Sequence, residues 1–440
     1  MNVKKTVAAL TAAFAMTVAA GAAYAGANQD KGAPAGSAET KEPVKITLLI
    51  DNQSALDGIK GVAAAAEKKL GIAMTINMRP GGTEGDNIVK TRLVAGDMDD
   101  ISFYNSGSLF MALNPSRHFV DLTDEPFMAK VISSFKTTVS QNGRVYAAPA
   151  ETIMAGGWFY NKKVYADLGL KVPTTWNELM ANCEKIKASG KTAVIASYKD
   201  SWTSQLLVLA DYYNVQAKNP NFAQDYTAKK AGFANTPAAL KGFEHLQEIY
   251  QRGFINKDPV ATTFEEALLR LASGDGAHYP MLTFAFANLK ALAPDKVNDI
   301  GFFAQPGESA ATNGLTVWMP ANLAIYKNGK NVEAAKKWIE FFLSAEGLAA
   351  YMSAMKPNGP FAIQGVALPE DILPGVKDML PYIDSGRSAP ALEFLSPIKG
   401  PNLEQICVQT GVGIKPPLES AREYDKDVEK QAKQLGLPGW

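Results

Sequence analysis

Few residues of this chain have the types and spacing that do chemistry. It has three histidines, His118, His245 and His278. None stands in the His-Glu-x-x-His spacing that puts two imidazoles on one helix face for zinc, and no cysteine–histidine cluster has zinc spacing. No Gly-x-Ser-x-Gly string offers a nucleophile elbow. Gly190-Lys191-Thr192 looks like the end of a phosphate-binding loop, but Lys185 occupies the place of the required glycine and a helix pattern precedes it. Gly81-Gly82 and Gly411-x-Gly413 lack the glycine spacing and the later acid of a dinucleotide site. No metal or cofactor is expected. A carboxylate pair would suffice for glycoside hydrolysis, and with 44 acids in the chain such a pair has no specificity. Glu151, in Ala-Pro-Ala-Glu-Thr, is the most suggestive single acid. Trp202 is different in kind. It lies in Lys-Asp-Ser-Trp-Thr-Ser-Gln-Leu, a polar strand-to-helix loop where packing explains a large ring poorly, and exposed aromatics mark binding sites.

The elements that would hold these residues are legible early in the chain. Val44–Ile50 reads as a buried strand ending at Asp51-Asn52-Gln53. A helix follows over 56–70. Met74–Met78 is a second strand ending at Arg79-Pro80-Gly81-Gly82, and a helix over 84–95 follows. Asp100–Tyr104 is a third strand ending at Asn105-Ser106-Gly107. That order predicts a parallel α/β sheet. Ligands bind such sheets outside the carboxyl ends of the strands, so Asp51, Asn52, Arg79, Asn105 and Ser106 are candidate contacts. The same residue types also favour ordinary turns. Helices are expected over 176–188, 204–213, 237–251 and 332–343, and strand-like pieces over 193–196, 276–279 and 299–303. Another follows Pro320.

At the N-terminus, Lys4 and Lys5 precede a small, apolar run from Val7 to Ala23, and Ala23-Tyr24-Ala25 places small residues where a signal peptidase reads. A signal peptide over 1–25 is expected, with cleavage after Ala25 and export to the periplasm. A polar, disordered leader over 26–41 follows. The roughly 400 remaining residues exceed one ordinary core and call for two lobes. The chain balances 44 basic against 44 acidic residues, so losing Lys4 and Lys5 leaves the mature form at −2. No basic excess exists to neutralise phosphates, which excludes nucleic acid as a partner. Cys183 and Cys407 both fall in helical patterns and read as buried thiols or as one disulfide.

Residues 143–179 carry a more specific signal. Gly143, Tyr146 and Pro149 are followed by Tyr160-Asn161-Lys162. Then come Gly169, Leu170, Pro173, Thr175, Trp176, Glu178 and Leu179, with Thr175 and Glu178 spaced as a capping box. This string resembles the signature of extracellular solute-binding protein family 1, whose members serve ABC-type sugar importers and include the maltose-binding proteins. Ala95-Gly96-Asp97-Met98, Phe119-x-Asp121-Leu122-Thr123 and the stretch from Ala324 to Ser344 are similar to it as well. The resemblance covers about residues 44–350.

The resemblance implies an α/β, two-lobed periplasmic binding protein fold of type II, with parallel-rich sheets flanked by helices and a multi-strand hinge. The expected lobes are 42–149 plus 318–362, and 150–317 plus 363–440. It implies a monomer that captures an oligosaccharide in the inter-lobe cleft and hands it to the permease subunits of an ABC importer without turning it over. It also places Glu151 and Trp318 at hinge crossings. Where the family often has a Trp that stacks on sugar, this chain has Leu282-Thr283-Phe284, so Phe284 is the stacking candidate. Sugars present polar edges and apolar faces, which aromatic rings with polar handles match. A secreted glycosidase and a binder of a non-sugar solute are the alternatives.

Overall fold

Each of the first three strands ends at a polar turn, and those turns face one cleft. The computed structural model describes residues Glu42–Trp440. The expected signal peptide (1–25) and leader (26–41) lie outside the described residues. In chain order the strands are β1 (Val44–Asp51), β2 (Ile72–Arg79), β3 (Ile101–Tyr104), β4 (Ser140–Gln141), β5 (Arg144–Val145), β6 (Ala148–Pro149), β7 (Met154–Asn161), β8 (Thr192–Val194), β9 (Gly276–Leu282), β10 (Ile300–Ala304), β11 (Leu315–Trp318), β12 (Asn322–Ile325) and β13 (Ser388–Pro390). One sheet has the order β2-β1-β3-β12-β6. Its β1 is parallel to β2 and β3, whereas β12 runs antiparallel to β3 and β6. The second sheet has the order β13-β11-β7-β9-β8, with β10 also on β7. Here β7 is antiparallel to β9, β10 and β11, and the pairs β8–β9 and β11–β13 are parallel.

Burial follows the side-chain periods. In β7, Trp158 faces a core with Cys183, Phe243 and Cys407, while its neighbour Phe159 faces another with Leu268, Phe286 and Met281, as strand alternation requires. Helix Trp176–Ala188 begins at a complete Thr175–Glu178 capping box. Helix Val332–Phe342 buries Ala335, Trp338, Ile339 and Phe342 on one face. One expectation differs from what folds. The segment expected as a helix over 204–213 is a 3-10 turn over Ser201–Gln205 followed by helices Leu206–Ala210 and Tyr212–Lys218. Of the two readings for Cys183 and Cys407, that of buried thiols holds, since both are buried in one core and free.

The chain passes between the core of the first sheet and the two cores of the second three times: between Ala150 and Met154, between Trp318 and Met319, and between Ile363 and Ile372. The crossing segments are knitted together. Ala150 N–H donates to the Ala321 carbonyl at 2.9 Å, and Ile153 N–H donates to the Pro360 carbonyl at 2.7 Å. Thr152 pairs with Phe361 in an antiparallel bridge. Among the described residues no helix is long and apolar enough to cross a membrane.

Candidate functional site

A cleft lies between the two sheets, beside the crossing segments, and encloses about 1460 Å³ with its open mouth included. One wall comes from the ends of β1, β2 and β3. At the end of β1, Asp51 accepts hydrogen bonds from Gln53 N–H (3.0 Å), Ser54 N–H (2.9 Å) and Ser54 Oγ (2.7 Å). Its carboxylate thus builds the turn and aims Gln53 across the cleft. At the end of β2, Arg79 is 6 % exposed. Its guanidinium lies 5.4 Å from the Tyr104 ring centroid and donates to the Pro80 carbonyl at 3.0 Å. At the end of β3, Ser106 Oγ is committed to the Pro320 carbonyl at 2.7 Å, while Asn105 stands exposed in the cleft.

The opposite wall is aromatic. Trp202, Phe264 and Phe284 form a cluster with ring centroids 5.4–6.0 Å apart, and Trp202 and Phe284 line the cleft. The loop position left Trp202 without expected packing partners. Phe264, at the start of a helix with its own Thr263–Glu266 capping box, supplies one from 62 residues along the chain. Trp318 lies beside the hinge and donates its indole N–H to Glu393, which pairs with Lys399 at 3.0 Å.

Eight of the nine candidates therefore line one cleft: Asp51, Arg79, Asn105, Ser106, Glu151, Trp202, Phe284 and Trp318. Asn52 does not. It is exposed in the turn after β1 and is not among the lining residues. Other lining residues were not singled out from the sequence, among them Gln53, Thr83, Glu393, Lys399 and Glu404. Gln53 was within reach as part of a polar strand end. The C-terminal group had no such signal, because it sits on turns and a helix that only tertiary folding brings to the cleft.

Electrostatics lean acidic. Asp51, Asp86, Glu151, Glu393 and Glu404 face three bases, Arg79, Lys90 and Lys399. Burial, with the Asp51 carboxylate as a lesser cause, pushes Glu151 up to about 8. A carboxyl that stays protonated at neutral pH can both donate and accept a hydrogen bond. Burial also raises Glu404, against the hydrogen bonds from Thr83 and Ser201 that favour its ionised form. Among the described residues no group of His, Cys, Asp and Glu side chains is arranged to hold a metal ion.

The walls also touch directly. Gln53 Nε2 donates to Asp200 Oδ1 at 2.6 Å, Trp202 Nε1 donates to Gln53 Oε1 at 2.7 Å, and Asn288 Nδ2 donates to the Gln53 carbonyl at 2.9 Å. Gly107 shows why such approach needs glycine. Its φ is +76°, and a Cβ there would come within 2.4 Å of the Glu393 carbonyl oxygen on the other wall.

Against known proteins, the family described as bacterial extracellular solute-binding protein matches residues 51–349. A multiple sugar-binding protein of Streptococcus mutans is 25% identical over 291 residues, 64% of this chain and 67% of the relative. The sn-glycerol-3-phosphate-binding periplasmic protein of Yersinia pseudotuberculosis is 24% identical over 235 residues, and the chain spans only 49% of it. Among solved structures, a chitin oligosaccharide binding protein superposes with a TM-score of 0.76 at 20% identity, over 89% of this chain and 100% of that one. A raffinose complex of the solute-binding protein RafE gives 0.70 at 21%, over 89% and 99%. These likenesses show the two-lobed solute-binding fold.

Proposed function

We propose, from the premise that this chain belongs to the bacterial extracellular solute-binding protein family, that it is an exported receptor that captures an oligosaccharide in its cleft and delivers it to the permease of an ABC importer. The observation that carries this reading is the pairing of walls. Strand-end groups such as Asn105 suit sugar hydroxyls, and the Trp202–Phe284 face suits the apolar face of a pyranose ring. The sugar-binding relative supports the ligand class.

The lobes are taken as 42–149 plus 318–362 and 150–317 plus 363–440. The distribution of the cores supports that division, except that Trp318 packs with the second lobe and Ala150 and Ile363 pack with the first. Ligand touching both walls favours the closed arrangement, and a permease reads it. The protein acts as a monomer in the periplasm, after cleavage near Ala25.

Titration calorimetry against raffinose, stachyose and chitin oligosaccharides tests this. Saturable binding of at least one supports the reading, and no binding by folded protein across the panel overturns it. Intact mass of exported material checks the expected start at Gly26.

A second reading, a glycosidase, has one observation in its favour, since the raised Glu151 stands near the Asp51 carboxylate. Against it, both Asp51 oxygens are engaged by its own turn. Sustained monosaccharide release that Glu151→Gln abolishes would establish the hydrolase instead.

A further inference from the structure

Helix Gly82–Ala95 begins at the cleft, and its N-cap, Gly81, has no side chain to cap it. The opposite wall supplies the missing group. Glu404, on helix Leu403–Gly411, reaches across so that its Oε1 accepts from Thr83 N–H at 2.9 Å and also from the Thr83 hydroxyl. Its Oε2 accepts from Ser201 Oγ at 3.0 Å, and its own backbone carbonyl is fixed by Ser204 Oγ at 2.8 Å. The side chain is 3 % exposed, and no Lys, Arg or His among the described residues lies within salt-bridge distance of it. Gly82, at φ +64°, leaves room for it, since a Cβ there would sit 3.2 Å from Oε2.

The first-turn N–H groups and positive end of a helix are where an anionic group of a ligand would be held. Here the protein has filled that place with its own carboxylate. We propose that Glu404 is a specificity-determining residue that bars phosphorylated and other anionic solutes from the cleft, and so restricts it to uncharged saccharides. This rests on the solute-receptor reading above. It also separates two ligand classes that the relatives leave open, since one relative is a sugar binder and another binds sn-glycerol 3-phosphate. Glu404 acts in two ways. It occupies the Thr83 N–H, so an incoming phosphate cannot take that donor. It is also one of the five acids that line the cleft beside three bases.

The test is calorimetry of wild type and Glu404→Ala with sn-glycerol 3-phosphate, inorganic phosphate and the neutral saccharide panel, each protein first shown to melt cooperatively. If the alanine protein does not fold, Glu404→Ser, which vacates the helix end and keeps a hydroxyl there, takes its place. The expected result is that the variant binds at least one of the two phosphates at least tenfold more tightly than wild type, with the gain shrinking as salt is raised. A folded variant with no gain overturns the proposal. So does wild type binding sn-glycerol 3-phosphate as tightly as the variant. If the gain occurs while neither protein binds any saccharide, the oligosaccharide reading fails and the role of Glu404 stands.

Discussion

The two walls of the cleft are built by different means. The first is made of short turns at the ends of parallel strands, where backbone and small polar side chains face the cavity and each turn is fixed within a few residues. The second is made of side chains gathered from far apart: Trp202, Phe284, Trp318, Glu393 and Glu404. A wall of strand ends reads the edges of a solute by hydrogen bonds, and a wall of assembled rings grips its faces by area. The first should confer orientation and the second most of the affinity, because fully desolvated aromatic contacts carry more free energy than single exposed hydrogen bonds.

The sharpest way to break that contrast is Trp202→Ala. Loss of a stacked ring from a desolvated site costs about 2 kcal/mol or more, roughly thirtyfold in affinity. Because the ring also packs on Phe264 and Phe284, the unliganded melting temperature should fall as well. Calorimetry and thermal unfolding read the two effects separately, and affinity that survives while stability falls would make Trp202 a packing residue only. Asn105→Ala tests the other wall. It removes one exposed hydrogen-bonding group, so affinity should fall by about 1 kcal/mol, roughly fivefold, with unchanged unliganded stability. A loss as large as that at Trp202 would erase the distinction between the walls.

Proton linkage at Glu151 sharpens the picture at the hinge. Its ordinary value is 4.5, and folding pushes it up to about 8. Between those limits the folded chain holds a proton that the unfolded chain has released, so stability falls as pH rises through that window. Glu151→Gln should flatten that part of the profile, measured as denaturant midpoints from pH 5 to 8. The smallest effect is expected at Asn52. Asn52→Ala should change affinity and stability by less than about 0.5 kcal/mol, as for an ordinary surface position.

The difference between the walls also decides what could be read in the chain. The turns after β1, β2 and β3 announce themselves as polar residues at the end of apolar runs, so Asp51, Arg79, Asn105 and Ser106 were named from pattern alone. Asn52 was named with them because composition identifies a turn without saying which of its side chains faces inward. On the second wall, Trp202 was visible only as a ring out of place, and Phe284 and Trp318 only through family resemblance. Glu404 left no trace, since an acid in the first turn of a helix is the ordinary preference. Its contacts with Thr83 join positions 321 residues apart. Likewise Thr175 and Glu178 foretold the start of one helix to the residue, whereas the breaks over Ser201–Lys218 depend on neighbours that no local window contains.

The three crossings have a consequence for synthesis. The first sheet takes β1 from near the beginning of the described chain and β12 from residues 322–325, and the second needs β13 at 388–390. More than two thirds of the polypeptide must therefore be delivered before either sheet can be completed, and the tail joins both cores of the second sheet, Ile372–Ala391 the one that holds Phe159 and Leu392–Ala432 the one that holds Trp158. Contacts between such distant segments form slowly, because the chain-closure entropy comes before the reward. Maturation should accordingly wait on the last segment to emerge, and truncation upstream of β12 should leave an incomplete first sheet rather than a smaller folded receptor.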